Sequence, residues 1–356
     1  MNRARLEQLR EWIPQEVDAV LIKTQVNRAY LSDFSSDAGT LIVTREKSFL
    51  IVDGRYVEAA AQTARDCEVR LGNREADWLP RLMAELSVHT AWMESAVTVA
   101  LYERWKQLLP QVELLCNGEL DRRLAQQRAV KDAAEVLALR EAQRLTDETF
   151  LHILEFIHEG IAERDIALEL DYTMRRLGAS ELAFETIAVA GERGSMPHGV
   201  PGVRRVRRGE FVTMDFGAVV DGYHADMTRT VAVGWISDEQ RAVYETVLEA
   251  QLAALATIHA GIKGSEVDAA ARSVIHSAGY GRYFDHSTGH GVGLEIHEAP
   301  SLSQSYETPL AAGQVVTVEP GIYLPGRFGV RIEDFVLVTP DGCDNITRSP
   351  KELIIL

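Results

Sequence analysis

FVTMDFGAVVDGYHADMTRTVAV, residues 211–233, decides the fold of the second half of this 356-residue chain. Asp221-Gly222 stands between two apolar runs, a strong signal for a two-residue hairpin turn, because both central residues of that turn need positive φ. With those residues as the turn, Val220 faces Tyr223 and Asp226 faces Gly217. Asp215 then lies two residues further along on the same side of the sheet. Asp215 and Asp226 become diagonal cross-strand neighbours, with Cα atoms roughly 7–8 Å apart. Two carboxylates aimed at each other from an apolar hairpin repel one another and lose solvation, and a cation between them removes both costs.

Working outward, FDHSTGHGVGLEIHEAP (284–300) holds His286, His290 and His297 among glycines at 289, 291 and 293. Glycines beside a histidine let the backbone approach a ligand closely, and imidazole suits zinc and other transition metals. VVTVEPGIYL (315–324) reads as a strand segment with Glu319 at the end of its apolar run. An ionised Glu in such a run is rarely buried unless paired or metal-bound, and Pro320-Gly321 marks a break in the ladder. GVRIEDFVLVT (329–339) reads as a last strand with Arg331, Glu333 and Phe335 on one face. Together these segments supply four carboxylates and a histidine. That count suits two metals sharing carboxylate ligands and a bridging water, a pair able to activate the water and polarise a carbonyl, as amide hydrolysis requires.

MDFGAVVDGYHADMTRT, STGHGVGLEIHE, TVEPGIY and GVRIEDFVLV together resemble the ordered signature of the pita-bread metallopeptidases, which include methionine aminopeptidase, aminopeptidase P and prolidase. The resemblance covers residues 125–356 and implies an α+β pita-bread catalytic domain. By its motifs, Asp215 would chelate one metal, Asp226 and Glu333 would bridge both, and His290 and Glu319 would complete the second. Glu319 would also be the acid/base partner of the bridging water. GSMPHGVPG (194–202) resembles the family's substrate-side histidine segment, so that His198, with His297, would contact substrate, while Arg331 would orient a ligand carboxylate. The resemblance implies two divalent ions, manganese first, with cobalt or zinc as alternatives.

The first half chooses within the family. Apolar strands alternating with helical stretches predict a small α/β unit, and NRAYLS (27–32) resembles the creatinase-type, ribonuclease-H-like N-terminal domain of aminopeptidase P and prolidase. The expected activity is release of an N-terminal residue ahead of proline, an Xaa-Pro aminopeptidase. The alternative is an Xaa-Pro dipeptidase restricted to dipeptides. An Xaa-Pro bond is a tertiary amide without N–H, which proteases that hydrogen-bond that N–H handle poorly. A metal-free binding module or a creatinase-type hydrolase would be missing ligands, and none is missing. Asp33 stands where the family usually has Gly, and His224 where many members have Ser; the latter reads as a half-exposed strand residue.

Bulk properties agree with an ordinary soluble fold: 46% hydrophobic and 25% charged residues. A net charge of −16 disfavours nucleic acid as a partner. The one basic run, Arg204, Arg205, Arg207 and Arg208, reads as a solvated loop before a strand. Cys67, Cys116 and Cys343 are scattered, without a CxxC pair, and read as small buried hydrophobes. No apolar run reaches the ~18–20 residues of a membrane span, and no apolar signal core opens the chain, so a cytoplasmic address is expected. Expected partners are peptides with proline second; the resemblance implies a homodimer. Residues 132–158 are good helix formers without Gly or Pro, and a second helix is expected over 162–176. The domain boundary is placed near residue 125, giving domains 1–125 and 126–356.

Overall fold

The computed structural model describes residues 2–356. Its contacts divide the chain after Arg128, at the end of the helix that contains residue 125, with the second unit over Ala129–Leu356.

The first unit holds strands β1 (Ala19–Ile22), β2 (Thr40–Thr44), β3 (Ser48–Val52), β4 (Glu68–Leu71), β5 (Thr90–Met93) and β6 (Glu113–Leu115). Helices α1 (Asn2–Trp12), α2 (Gln25–Ser32), α3 (Val57–Thr63), α4 (Glu75–Glu85), α5 (Val99–Leu108) and α6 (Glu119–Ala129) lie between and around them. The strands form one mixed sheet in the order β4-β3-β2-β1-β5-β6. Only β2 runs against its neighbours; β3–β4, β1–β5 and β5–β6 are parallel. AVLI and SFLIV are buried at every position, as continuous apolar runs are when helices cover both faces of a sheet. Helix α1 ends at Trp12, because the residue before Pro14 is biased away from helical backbone. Asp33 caps α2 in the left-handed region, φ +55°, and its N–H donates to the Ala29 carbonyl at 2.9 Å. That conformation is what makes Gly the commoner residue there.

The second unit opens with α7 (Ala133–Phe156), capped by Asp132, whose carboxylate accepts from the Ala134 and Glu135 N–H groups while Glu135 reaches back to the Asp132 N–H. This capping box satisfies donors that the first helical turn leaves orphaned. Then follow α8 (Glu163–Leu177), β7 (Glu181–Leu182), β8 (Ile187–Ala190), β9 (Glu210–Phe216), β10 (Ala218–Val220), β11 (Tyr223–His224), β12 (Met227–Val233), α9 (Asp238–Thr257) and α10 (Gly264–Ser277). The chain closes with β13 (Gly289–Gly291), β14 (Glu298–Leu302), β15 (Val315–Val318), β16 (Gly321–Leu324), β17 (Phe328–Arg331), β18 (Asp334–Thr339) and β19 (Gly342–Asn345).

Two apolar cores sit under the helix pairs. Leu145, Phe150 and Ile153 of α7 and Ile166, Leu170 and Met174 of α8 pack on Val212, Met214, Phe216 and Val231. Val243 and Val247 of α9 and Val267 and Ile275 of α10 pack on Val316, Val318, Ile332 and Val336. Each such side chain contributes about 1.5–3 kcal/mol on burial. Because strand side chains alternate, Met214 and Phe216 in the core leave Asp215 on the other face.

Two expected strands are each split. VVTVEPGIYL becomes β15 and β16, which belong to different sheets, and the break falls at Glu319-Pro320. GVRIEDFVLVT becomes β17 and β18, broken at Ile332-Glu333. At both breaks the departing chain carries a carboxylate out of the ladder. The cysteine expectation is corrected: Cys116 is exposed, and Cys67 and Cys343 are only half-buried. Among the described residues, no helix is long and apolar enough to cross a membrane.

Candidate metal centre

The hairpin forms with the register read from Asp221-Gly222. Val220 pairs with Tyr223, and Asp215 pairs with Thr228. Asp221 and Gly222 have φ of +51° and +81°, the left-handed pair that this turn demands. Gly217 lies opposite Asp226, where a Cβ would sit 1.9 Å from the Ala225 carbonyl oxygen. Only glycine lets the two strands close at that point.

Around this hairpin the fold gathers residues from four segments. Asp215, Asp226, His290, Glu319 and Glu333 line one cleft of about 630 Å³, and His198, His286, His297, Tyr323 and Arg331 line it too. His290 Nε2 stands 3.5 Å from Asp226 Oδ2 and 3.4 Å from Glu319 Oε1. Asp226, His290 and Glu333 offer ligand atoms that all lie within 4.8 Å of one another. The Thr228 hydroxyl donates to Glu333 Oε2 at 2.8 Å.

Arg331 ties the cluster together. Its guanidinium reaches Asp215 Oδ2 at 2.5 Å, the Thr228 hydroxyl at 2.9 Å, the Tyr323 hydroxyl at 2.9 Å and the Pro197 carbonyl at 3.3 Å. Arg331 and Glu333 both meet the Thr228 hydroxyl, although the strand breaks between them and Phe335, expected on the same face, packs into a separate core. The ion pair that results, however, is a buried one with Asp215.

The electrostatics are those of a cation site. Burial, reinforced by the charges of Glu333, Asp215 and Glu319, pushes the Asp226 carboxyl well above the ordinary carboxylate range. Burial does the same to Glu333, reinforced by Glu319 and Asp215, and pushes Glu319 up to about 8. Burial, and then His297, lowers His290 to about 4, so its imidazole is neutral. His290 Nδ1 donates to the Gly291 carbonyl at 3.1 Å, which leaves the Nε2 lone pair facing carboxylate oxygens. Once these carboxylates ionise, a lone pair aimed at them is repulsive unless a cation lies between them. Asp215 Oδ1 and Glu333 Oε1 are also buried without a hydrogen-bond partner, the condition metal ligation relieves. The donor set of carboxylates and one imidazole fits divalent cations.

The remaining sequence candidates separate. His297 packs edge-on against His290 with ring centroids 4.3 Å apart. His198 is exposed on the Pro197–Pro201 wall of the cleft. His224 stays a strand residue: its Nδ1 meets the Gly293 carbonyl at 3.0 Å, and it is no part of the cleft lining. Arg204 is not simply solvated; it pairs with Glu192 and Glu210. In the sequence His286 is marked only as one histidine of three in FDHSTGHGVGLEIHEAP. It accepts from the Tyr323 hydroxyl at 2.9 Å, since its Nδ1 is engaged by the Ser287 carbonyl. Tyr323 was missed altogether. Its only signal was its place four residues after Glu319, across a Pro-Gly break that hides where the side chain points.

Residues 138–340 match metallopeptidase family M24, and residues 5–130 match the creatinase/prolidase N-terminal domain. The structure is similar to that of an Xaa-Pro dipeptidase from Bacillus anthracis, 40% identical, covering 100% of both chains at TM-score 0.96. It is similar also to an X-Pro aminopeptidase from Thermotoga maritima MSB8, 36% identical, covering 99% of this chain and 100% of that one at TM-score 0.92. In sequence, an Xaa-Pro dipeptidase of Pyrococcus furiosus is 36% identical over 99% of this chain and 100% of that protein. An intact carboxylate–histidine cluster on this fold, matched end to end by such relatives, has one reading: the chain belongs to the pita-bread metallopeptidases of family M24 and is a metallo-exopeptidase with a creatinase-type N-terminal domain.

Proposed function

We propose that the chain is a prolidase, hydrolysing the Xaa-Pro bond of dipeptides. The observation that carries this is the complete five-residue cluster together with end-to-end likeness to Xaa-Pro dipeptidases. The expected aminopeptidase has weaker support: two of the three relatives above are dipeptidases by name. The Thermotoga maritima likeness keeps the aminopeptidase as the second reading.

In this reading Asp215, Asp226, His290, Glu319 and Glu333 would hold two divalent ions. Manganese is the proposed ion, cobalt or zinc the alternative. Bound there, the ions would supply an activated water and polarise the scissile carbonyl. Glu319 takes the proton of the attacking water and delivers it to the departing proline nitrogen, which has no proton of its own until the bond breaks. His198 and His297 face the substrate from the cleft lining and donate to the oxygen on which charge develops. Arg331 holds Asp215 in place through a charge-assisted hydrogen bond. We further propose a homodimer acting in the cytoplasm.

The test supplies manganese-loaded enzyme with an Xaa-Pro dipeptide and, separately, an Xaa-Pro-Yaa tripeptide. Turnover of the dipeptide alone is expected. Turnover of the tripeptide moves the assignment to aminopeptidase P, and turnover of neither removes the proline-directed reading.

A further inference from the structure

The segment Gly191–Gly202 leaves the end of β8 and returns ahead of β9, and it carries His198 on a wall of the cleft. Little apolar burial holds this wall, because Met196 and Val200 are exposed at 46% and 70%. Its interior is pinned by short turns (Met196 N–H to the Arg193 carbonyl, Gly199 N–H to the Met196 carbonyl, both 3.0 Å) and by Arg331 on the Pro197 carbonyl. Both ends of the segment meet one side chain. Glu163, the first residue of α8, accepts from the Ala190 N–H at 2.9 Å through Oε1. Through Oε2 it accepts from the Gly202 N–H at 3.1 Å and forms an ion pair with Arg193 Nε at 3.0 Å. The Glu163 side chain is fully buried, at 0% exposure. Its own backbone is anchored to the outgoing end of the segment, with Glu163 N–H on the Arg204 carbonyl at 3.0 Å and Arg164 N–H on the Gly202 carbonyl at 2.9 Å.

A fully buried carboxylate is retained only where it is paired and hydrogen-bonded. Here its partners are the two ends of a loop that packs through glycine backbone (Gly194 lies against Gly329) and leaves its larger apolar side chains, Met196 and Val200, in solvent. We propose that Glu163 is a positioning residue: it closes the base of the Gly191–Gly202 loop and so sets where His198 stands over the cleft. This rests on the reading that the cleft binds peptide and that His198 touches it. A residue that only stabilised the fold would change melting temperature and leave His198 out of the effect.

The test compares wild type, Glu163→Gln, His198→Ala and the double variant as full-length, metal-loaded protein. Trypsin cleavage after Arg193, followed by fragment mass, is expected to accelerate roughly tenfold or more in Glu163→Gln, as the loop base opens. For an Xaa-Pro dipeptide, kcat/KM is expected to fall roughly tenfold or more, because small misplacements of a contacting group carry losses of that order. In the His198→Ala background the same substitution is expected to change kcat/KM by less than about twofold, since the two act as one unit. Unchanged cleavage after Arg193, or losses that simply multiply, overturns the proposal. If Glu163→Gln does not fold, Arg193→Gln removes one partner at a partly exposed position. It is expected to give a smaller loss of kcat/KM, again absorbed by His198→Ala, and multiplying losses overturn the proposal there too. The trypsin readout needs no turnover, so it judges the loop even if wild type cleaves no Xaa-Pro dipeptide.

Discussion

Arg331 shows how much one residue carries. It meets Asp215, Thr228, Tyr323 and the Pro197 carbonyl, each from a different segment, and it does so from a buried position. Only a planar fork with several donors reaches all of these at once; an ammonium offers a single point. Arg331→Lys keeps the charge and is expected to lower kcat/KM by about 10–100-fold, the usual cost of losing a group that orients a metal ligand. Steady-state kinetics at saturating metal, with bound metal quantified in parallel, checks this; wild-type rates would show that the fork is dispensable. Asp226→Ala is expected to abolish turnover and to lower bound metal, because Asp226, His290 and Glu333 offer ligand atoms that all lie within 4.8 Å of one another. A variant that retains full metal content and activity would remove Asp226 from the site.

At the scale of elements, the hairpin and the two strand breaks build the site. Gly217 admits no Cβ because the Ala225 carbonyl occupies that space. Gly217→Ala is therefore expected to destabilise the protein by about 1–3 kcal/mol, as overpacking does, and to weaken metal binding by moving Asp215 relative to Asp226. Thermal unfolding and metal titration measure the two effects; an unshifted melting temperature would show that the strands can part without loss. In the first unit, Asp33→Gly relieves a left-handed residue, φ +55°, that closes α2. It is expected to be neutral or to stabilise by up to about 1 kcal/mol, read as a small rise in melting temperature with activity unchanged. The hairpin was legible in the sequence because a turn and its register are local, set by Asp221-Gly222 and the apolar alternation beside it. The breaks at Glu319-Pro320 and Ile332-Glu333 were half legible. Pro320 announced the first, but nothing local announced that the chain would change sheets there.

At the scale of the molecule, pH and metal are linked through the buried carboxylates. In the metal-free fold, Asp226 and Glu333 are held above the ordinary carboxylate range and Glu319 is raised to about 8. The folded state then binds more protons than the unfolded chain from the ordinary carboxylate pKa up to about 8. Stability of the metal-free protein must therefore fall as pH rises through that window. Divalent metal stabilises the charged carboxylates and binds with release of protons. The gap in melting temperature between metal-loaded and chelator-treated protein is expected to widen steadily from pH 5 to pH 8. A gap independent of pH would mean that these groups do not take the metal.

The sequence by itself determined the catalytic family, the hairpin and the identity of the charged residues brought into the cleft, because periodicity, turn chemistry and motif order are written in neighbouring residues. Only the tertiary structure decided that Arg331 serves Asp215 rather than Glu333, that Tyr323 joins His286 to Arg331, and that Glu163 closes the loop bearing His198. Those contacts link residues far apart in the chain. Their partners are selected by which faces the packed sheets and helices turn toward one another, and no local pattern records that choice.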